Sequence, residues 1–179
     1  MTQRSNDGSL SSSSSSLAPA PRAALASPRT TEATYEFLAF EVSGDRMGLP
    51  LGSVKEILKL APITPVPRAP GEVLGILSVR GRITTVICLR TKLGMVPPRG
   101  ASRSARILLV DRGHEILGLR VDAVTEVLRL RASEIEPADA IGAGLAEHVT
   151  GLGRPNSAGG NVVSGGEVIV LLDPVALLR

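Results

Sequence analysis

A chain of 179 residues, 43% hydrophobic and 21% charged, is long enough for one ordinary soluble domain or for two small subdomains sharing a core. Twenty Lys and Arg against 17 acids give a formal charge of +3, a weak basis for nucleic-acid binding. With no Trp, one Tyr and two Phe, the chain also lacks the aromatic platform on which single-stranded bases stack. The single cysteine, Cys88, excludes an intrachain disulfide and any multi-cysteine metal site. No apolar run approaches the roughly 20 residues of a membrane helix, and Pro19, Pro21 and Arg22 interrupt the only signal-like stretch, so a cytoplasmic location is expected.

Residues 1–34, with serines at 11–16 followed by an Ala-Pro-Arg segment, cannot bury enough apolar surface to offset backbone entropy and are expected to form a disordered tail. Order is expected from Tyr35. Glu36–Val42 alternates as a half-buried strand, Ser43-Gly44-Asp45 turns, and Arg46–Pro50 returns. Leu51, Val54, Ile57 and Leu58 recur at helical spacing, so Leu51–Leu58 reads either as a short helix or as an irregular edge segment. Three prolines between Ile63 and Pro70 force an extended connection.

The most definite motif follows. Two β-branched runs, Val73–Val79 and Ile83–Leu89, flank Arg80-Gly81-Arg82, which predicts a hairpin with an arginine at its tip. Gly75 within the first run signals a bulge or the close approach of another backbone. After a turn at Lys92-Leu93-Gly94 and a polar linker to about Ser104, the pattern restarts. Leu38–Leu58 aligns without a gap on Leu108–Leu128, matching Gly48 with Gly118, Leu49 with Leu119, Val54 with Val124 and Glu56 with Glu126. A polar stretch (Arg131–Ala143), a strand around His148–Leu152, a glycine-rich loop (Gly153–Gly166) and a closing strand (Glu167–Leu172) complete the second half. Asp173-Pro174 is an N-cap and first-turn pair for a last short helix. Short strands, glycine turns and little helix predict an all-β fold, and the repeat predicts two small barrel-like subdomains.

Phe37-Leu38-Ala39-Phe40, Gly48-Leu49-Pro50-Leu51, Val54-Lys55-Glu56-Ile57, Gly75–Gly81, Leu89-Arg90, Gly118–Val124 and Thr150-Gly151-Leu152, in that order, resemble the CheW-like domain of bacterial chemosensory coupling proteins. The resemblance covers about residues 35–179. It implies two intertwined five-stranded, SH3-like β-barrels with a shared apolar seam, no catalysis and no cofactor or metal. It further implies a non-catalytic adaptor that couples chemoreceptor signalling tips to the regulatory domain of a CheA-type histidine kinase, recruited to membrane-associated arrays in which it can also self-associate. Carried over by motif, Arg80 and Gly81 fall at a sensitive turn, Val54, Glu56 and Ile57 in a partner-contacting segment, and Gly118, Val121 and Val124 in strands lining a receptor groove. Arg80 at a hairpin tip is equally suited to hold Glu72 or another carboxylate of its own chain. Where the family usually has aspartate this chain has Cys88, so any ion pair made there is absent or relocated. This departure, the long Gly153–Gly166 loop and the added tail suit a divergent scaffold of a motility or other chemosensory-type pathway.

Two other classes compete. An enzyme would need a base or nucleophile with an orienting partner. Its candidates are His114, His148 and a Cys88 set among Val86, Ile87 and Leu89, where a buried, inert thiol is expected. A small-barrel nucleic-acid binder would show steeply salt-dependent association with DNA or RNA.

Overall fold

The computed structural model describes residues 32–97, 100, 102–113, 115–138, 147–155 and 168–178. Most of the expected tail, His114 and most of the Gly153–Gly166 loop lie outside the described residues. Order begins earlier than Tyr35: β1 spans Thr34–Val42, Ser133 N donates to Glu32 Oε1 at 2.6 Å, and Ala132 N donates to Ala33 O at 2.9 Å.

The remaining elements are β2 (Asp45–Pro50), β3 (Val54–Lys59), β4 (Val73–Val79), β5 (Arg82–Cys88), α1 (Leu89–Lys92), β6 (Arg106–Asp111), β7 (Ile116–Val121), β8 (Ala123–Arg131), β9 (Ile135–Pro137), β10 (Val149–Gly153), β11 (Ile169–Leu172) and α2 (Pro174–Leu177). The segment left open between helix and edge is a single 3-10 turn, Leu51–Ser53, followed by a strand. The final helix is capped as predicted, with Val175 N donating to Asp173 Oδ1 at 2.8 Å.

Two sheets form, in the orders β8-β1-β2-β11-β10-β9 and β3-β6-β7-β5-β4. One therefore has six strands where five were expected, because Ile135–Pro137 adds a short rung against β10. Both are rolled. In the larger sheet the two edge strands, β8 and β9, are joined by only the three residues Ala132–Glu134. In the smaller, the β4–β5 tip reaches back to edge strand β3.

The repeat organises the topology. In the first half β1 and β2 pair, and β3 leaves to pair with β6 of the other sheet; in the second half β6 and β7 pair, and β8 leaves to pair with β1. Each half thus lends its third strand to its counterpart. Both lent strands carry a register shift at the aligned position, beside Lys55 in β3 and beside Thr125 in β8. Each sheet is extended by a parallel partner to its second strand, β11 on β2 and β5 on β7.

Strand periodicity divides the core into three. Leu38, Phe40 and Val42 of β1 face Leu108 and Val110 of β6 in one shared cluster, completed by residues including Leu49, Leu119 and Leu177. The alternate positions point the other way: Phe37 joins Leu130, Ile169 and Leu171 inside the larger sheet, and Ile107 joins Val86 and Leu109 inside the smaller. The aligned glycines serve this packing. A Cβ on Gly48 would lie 3.1 Å from Leu171, and one on Gly118 would lie 3.0 Å from Ile107 and 3.2 Å from Val86.

Candidate docking surfaces

The predicted hairpin is present, and its turn contains two residues. Arg80 (φ 49°) and Gly81 (φ 79°) both lie in the left-handed region. Such a turn matches the right-handed twist of its strands, at the cost of holding a non-glycine residue at positive φ. The strand leading to the tip is bent as Gly75 implied: the register shifts there, its φ is 142°, and a Cβ would stand 2.1 Å from Thr64 O. Thr64 and Ile76 exchange two backbone hydrogen bonds across this approach, at 2.8 and 2.9 Å.

The Arg80 side chain is 80% exposed, and its Nη2 donates to Glu56 Oε1 at 3.0 Å. The carboxylate it holds is therefore Glu56; Glu72 instead lies 3.9 Å from Lys92 Nζ. Next to this pair Lys55 Nζ is 2.9 Å from Asp111 Oδ2, while Gly113 N donates to Asp111 Oδ1 at 2.6 Å. The hydrogen bond from Lys55, followed by that from the Gly113 N–H, holds the Asp111 carboxyl below its ordinary value. These two ion pairs, with Ile83 and Ile116, line a concavity of about 640 Å3. Ile83 is 75% exposed beside the tip, an apolar side chain in water within a rim of mixed charge. That combination resembles the anchor and polar rim of a protein interface.

A second surface lies where the lent strands leave their sheets. Leu51, Val54 and Val124 are only partly buried and pack against the shared core, forming part of its open rim. Ile57, next to Glu56 in β3 and on its opposite face, is 44% exposed.

Of the residues singled out from sequence, Glu56, Arg80 and Gly81 converge at the tip, and Val54 and Val124 meet the same core. Gly118 and Val121 do not form a surface: Val121 is 1% exposed within the shared cluster, and Ile107 and Val86 cover Gly118. Their place is the core, because β7 is the central strand of its sheet. The sequence reading missed Lys55, Asp111 and Ile83. Ile83 was detectable as the apolar residue nearest the tip, but the pairing of Lys55 with Asp111 depends on the lent strand. Arg90, whose expected partner position holds Cys88, is relocated onto Asp122: Nε and Nη2 both donate to Oδ2, at 2.9 and 2.6 Å. Asp122 also accepts from Ser43 N at 2.6 Å, tying α1, the β1–β2 turn and the start of β8 together. Cys88 is buried, as expected.

Sheets that exchange their third strands around a shared core agree with the family comparison, in which the CheW-like domain matches residues 36–179. This chain belongs to the CheW-like family. It is 32% identical over 133 residues to Protein FrzA of Myxococcus xanthus, an alignment covering 74% of this chain and 81% of that protein. It is 30% identical over 106 residues to the chemotaxis protein CheW of Helicobacter pylori, covering 59% and 64% respectively; this chain thus spans just under two thirds of that relative. Among solved structures, the scaffolding protein TtCheW of Thermoanaerobacter tengcongensis aligns with a TM-score of 0.68 at 28% identity, covering 79% of this chain and 90% of that one. No helix among the described residues is long and apolar enough to cross a membrane.

Proposed function

We propose that this CheW-like chain is a non-catalytic adaptor joining the regulatory domain of a CheA-type histidine kinase to the cytoplasmic tip of a chemoreceptor, and that it acts in the cytoplasm at membrane-associated receptor arrays. The observation that carries the reading is the hairpin tip, where Arg80, 80% exposed and at positive φ, sits with Glu56 and with the exposed Ile83. A surface ion pair of this kind contributes only about 0–1 kcal/mol to folding. A strained turn presenting it to solvent is therefore better explained by recognition than by stability. The partly buried aliphatic rim of Leu51, Val54 and Val124 suits the apolar face of a receptor helix laid against it.

The test is titration of the folded protein with the cognate kinase regulatory domain and with a receptor-tip fragment. Arg80→Ala is expected to weaken kinase binding at least about tenfold, equivalent to about 1.4 kcal/mol, while moving the melting midpoint little. Wild-type protein that binds neither partner contradicts the adaptor reading, and an Arg80→Ala protein that unfolds makes the residue structural. Residues 1–30 are proposed to be dispensable for folding, so their deletion should leave the melting transition unchanged.

A further inference from the structure

A second cleft, remote in sequence from the hairpin tip, forms where the start of β2, the segment after α1, the start of β10 and β11 meet. Its volume is about 460 Å3, within the roughly 300–1,000 Å3 typical of ligand pockets. Its floor is apolar: Met47 and Leu172 are buried, while Leu93, Met95, Val149 and Val170 are partly buried residues at the margin of the shared core.

The rim is acidic. Asp45 and Glu147 are exposed, and neither makes an ion pair among the described residues. Lys92, the lysine on this wall, lies 3.9 Å from Glu72 and so already faces a carboxylate. Lys92, Glu147 and His148 also wall an adjoining cleft of about 330 Å3 that contains Glu72 and Thr91. The two clefts therefore form one trough, apolar at one end and polar at the other. His148 stands at their junction with its Nδ1 sealed from solvent and without a hydrogen-bond partner among the described residues, an arrangement that is costly unless something completes it.

We propose that this trough is a docking site for an arginine or lysine side chain presented by a protein partner. An inorganic cation would make no use of the apolar floor, and a neutral apolar group would cover the two carboxylates without pairing them. A long cationic side chain satisfies both: its methylene stem lies over Met47, Met95 and Val170, and its head reaches Asp45 or Glu147. The elongated, two-ended shape suits a polypeptide passing through more than a free small molecule. The site is separate from the Arg80–Glu56 tip and holds or fails independently of the adaptor reading.

The test is a titration of isotope-labelled full-length protein, followed by amide shifts, with acetyl-Leu-Arg-amide, its citrulline counterpart and free arginine methyl ester. The expected result is perturbation of Met47, Leu93, Met95, Val149 and Val170 by the arginine peptide, with the citrulline peptide much weaker. In the double variant Asp45→Asn, Glu147→Gln the arginine peptide should bind about tenfold less tightly at an unchanged melting midpoint, since both residues are on the surface. Absence of shifts in the trough, or equal binding of the citrulline peptide, overturns the proposal. Free arginine methyl ester binding as tightly as the peptide overturns the assignment to a protein partner.

Discussion

The two halves of the molecule are alike where they pack and different at their rims. On both sheets a glycine faces the second-last rung, Gly75 opposite Val86 and Gly151 opposite Leu171, and both stand beside a register shift. Each also meets a backbone carbonyl on its other side: an added Cβ would lie 2.1 Å from Thr64 O, in the connection before β4, at Gly75, and 2.4 Å from Glu136 O, in the paired edge strand β9, at Gly151. Gly75 alone of the two requires a left-handed φ.

The aligned glutamates diverge further. Glu126 is held by Arg46 at 2.7 Å, whose side chain is 16% exposed, whereas Glu56 is held by Arg80 at the open hairpin tip. The short helices ending each half differ at the cap, Asp173 bonding its helix while Cys88 makes no cap bond. Packing duties are thus retained in both halves, while the arginine that holds the aligned glutamate is largely buried in one half and largely exposed in the other.

The largest effect should come from the glycines. Gly75→Ala combines a backbone collision with a strained φ and is expected to cost more than about 3 kcal/mol. Gly151→Ala meets only a three-residue edge strand that can shift, and should cost about 1–2 kcal/mol; chemical denaturation of both variants measures the gap, and equal losses would break the comparison. Next is the arginine pair: Arg46→Ala, which strips a largely buried side chain, should cost about 1–3 kcal/mol, against less than about 1 kcal/mol for Arg80→Ala. Asp173→Ala should lower stability by about 1 kcal/mol through loss of its cap, a loss with no counterpart at Cys88.

The smallest effect is with pH. Asp111 and Glu32 have carboxyls held below their ordinary values, Asp111 by Lys55 and Gly113, Glu32 by the side-chain and backbone hydrogen bonds of Ser133. Their stabilisation is full above the ordinary values of 3.8 and 4.5 and is lost as pH falls through the lowered ones. Asp111→Asn should flatten the acid limb of a stability–pH curve by slightly lowering stability at neutral pH, where the Asp111 contribution is present, and leaving stability below the lowered value unchanged.

What could be read from sequence followed the residues whose chemistry is local. Arg80-Gly81 set the turn, Gly75 the bend, Asp173-Pro174 the last helix, and the Gly48/Gly118 register the repeat. Leu51–Leu58 stayed ambiguous because its strand is inverted at the surface: Glu56 occupies the inward row to meet Arg80, while Ile57 faces outward, 44% exposed. That exchange mimics helical spacing. The convergence of Glu56, Arg80 and Gly81 at the proposed docking tip was foreshadowed by the hairpin and the aligned glutamate. Lys55–Asp111, Arg90–Asp122 and the burial of Val121 depend on which strand is lent where, a long-range fact with no local signature.

The reciprocal loan of β3 and β8 makes the molecule a clasp. Parting the two halves means peeling β3 from β6 and β8 from β1 along their whole registers, so no hinge can swing between them while the ladders are intact. A pull applied at one rim is delivered to the other as shear along hydrogen-bonded strands, so the protein behaves as a stiff link in any assembly that holds both of its faces.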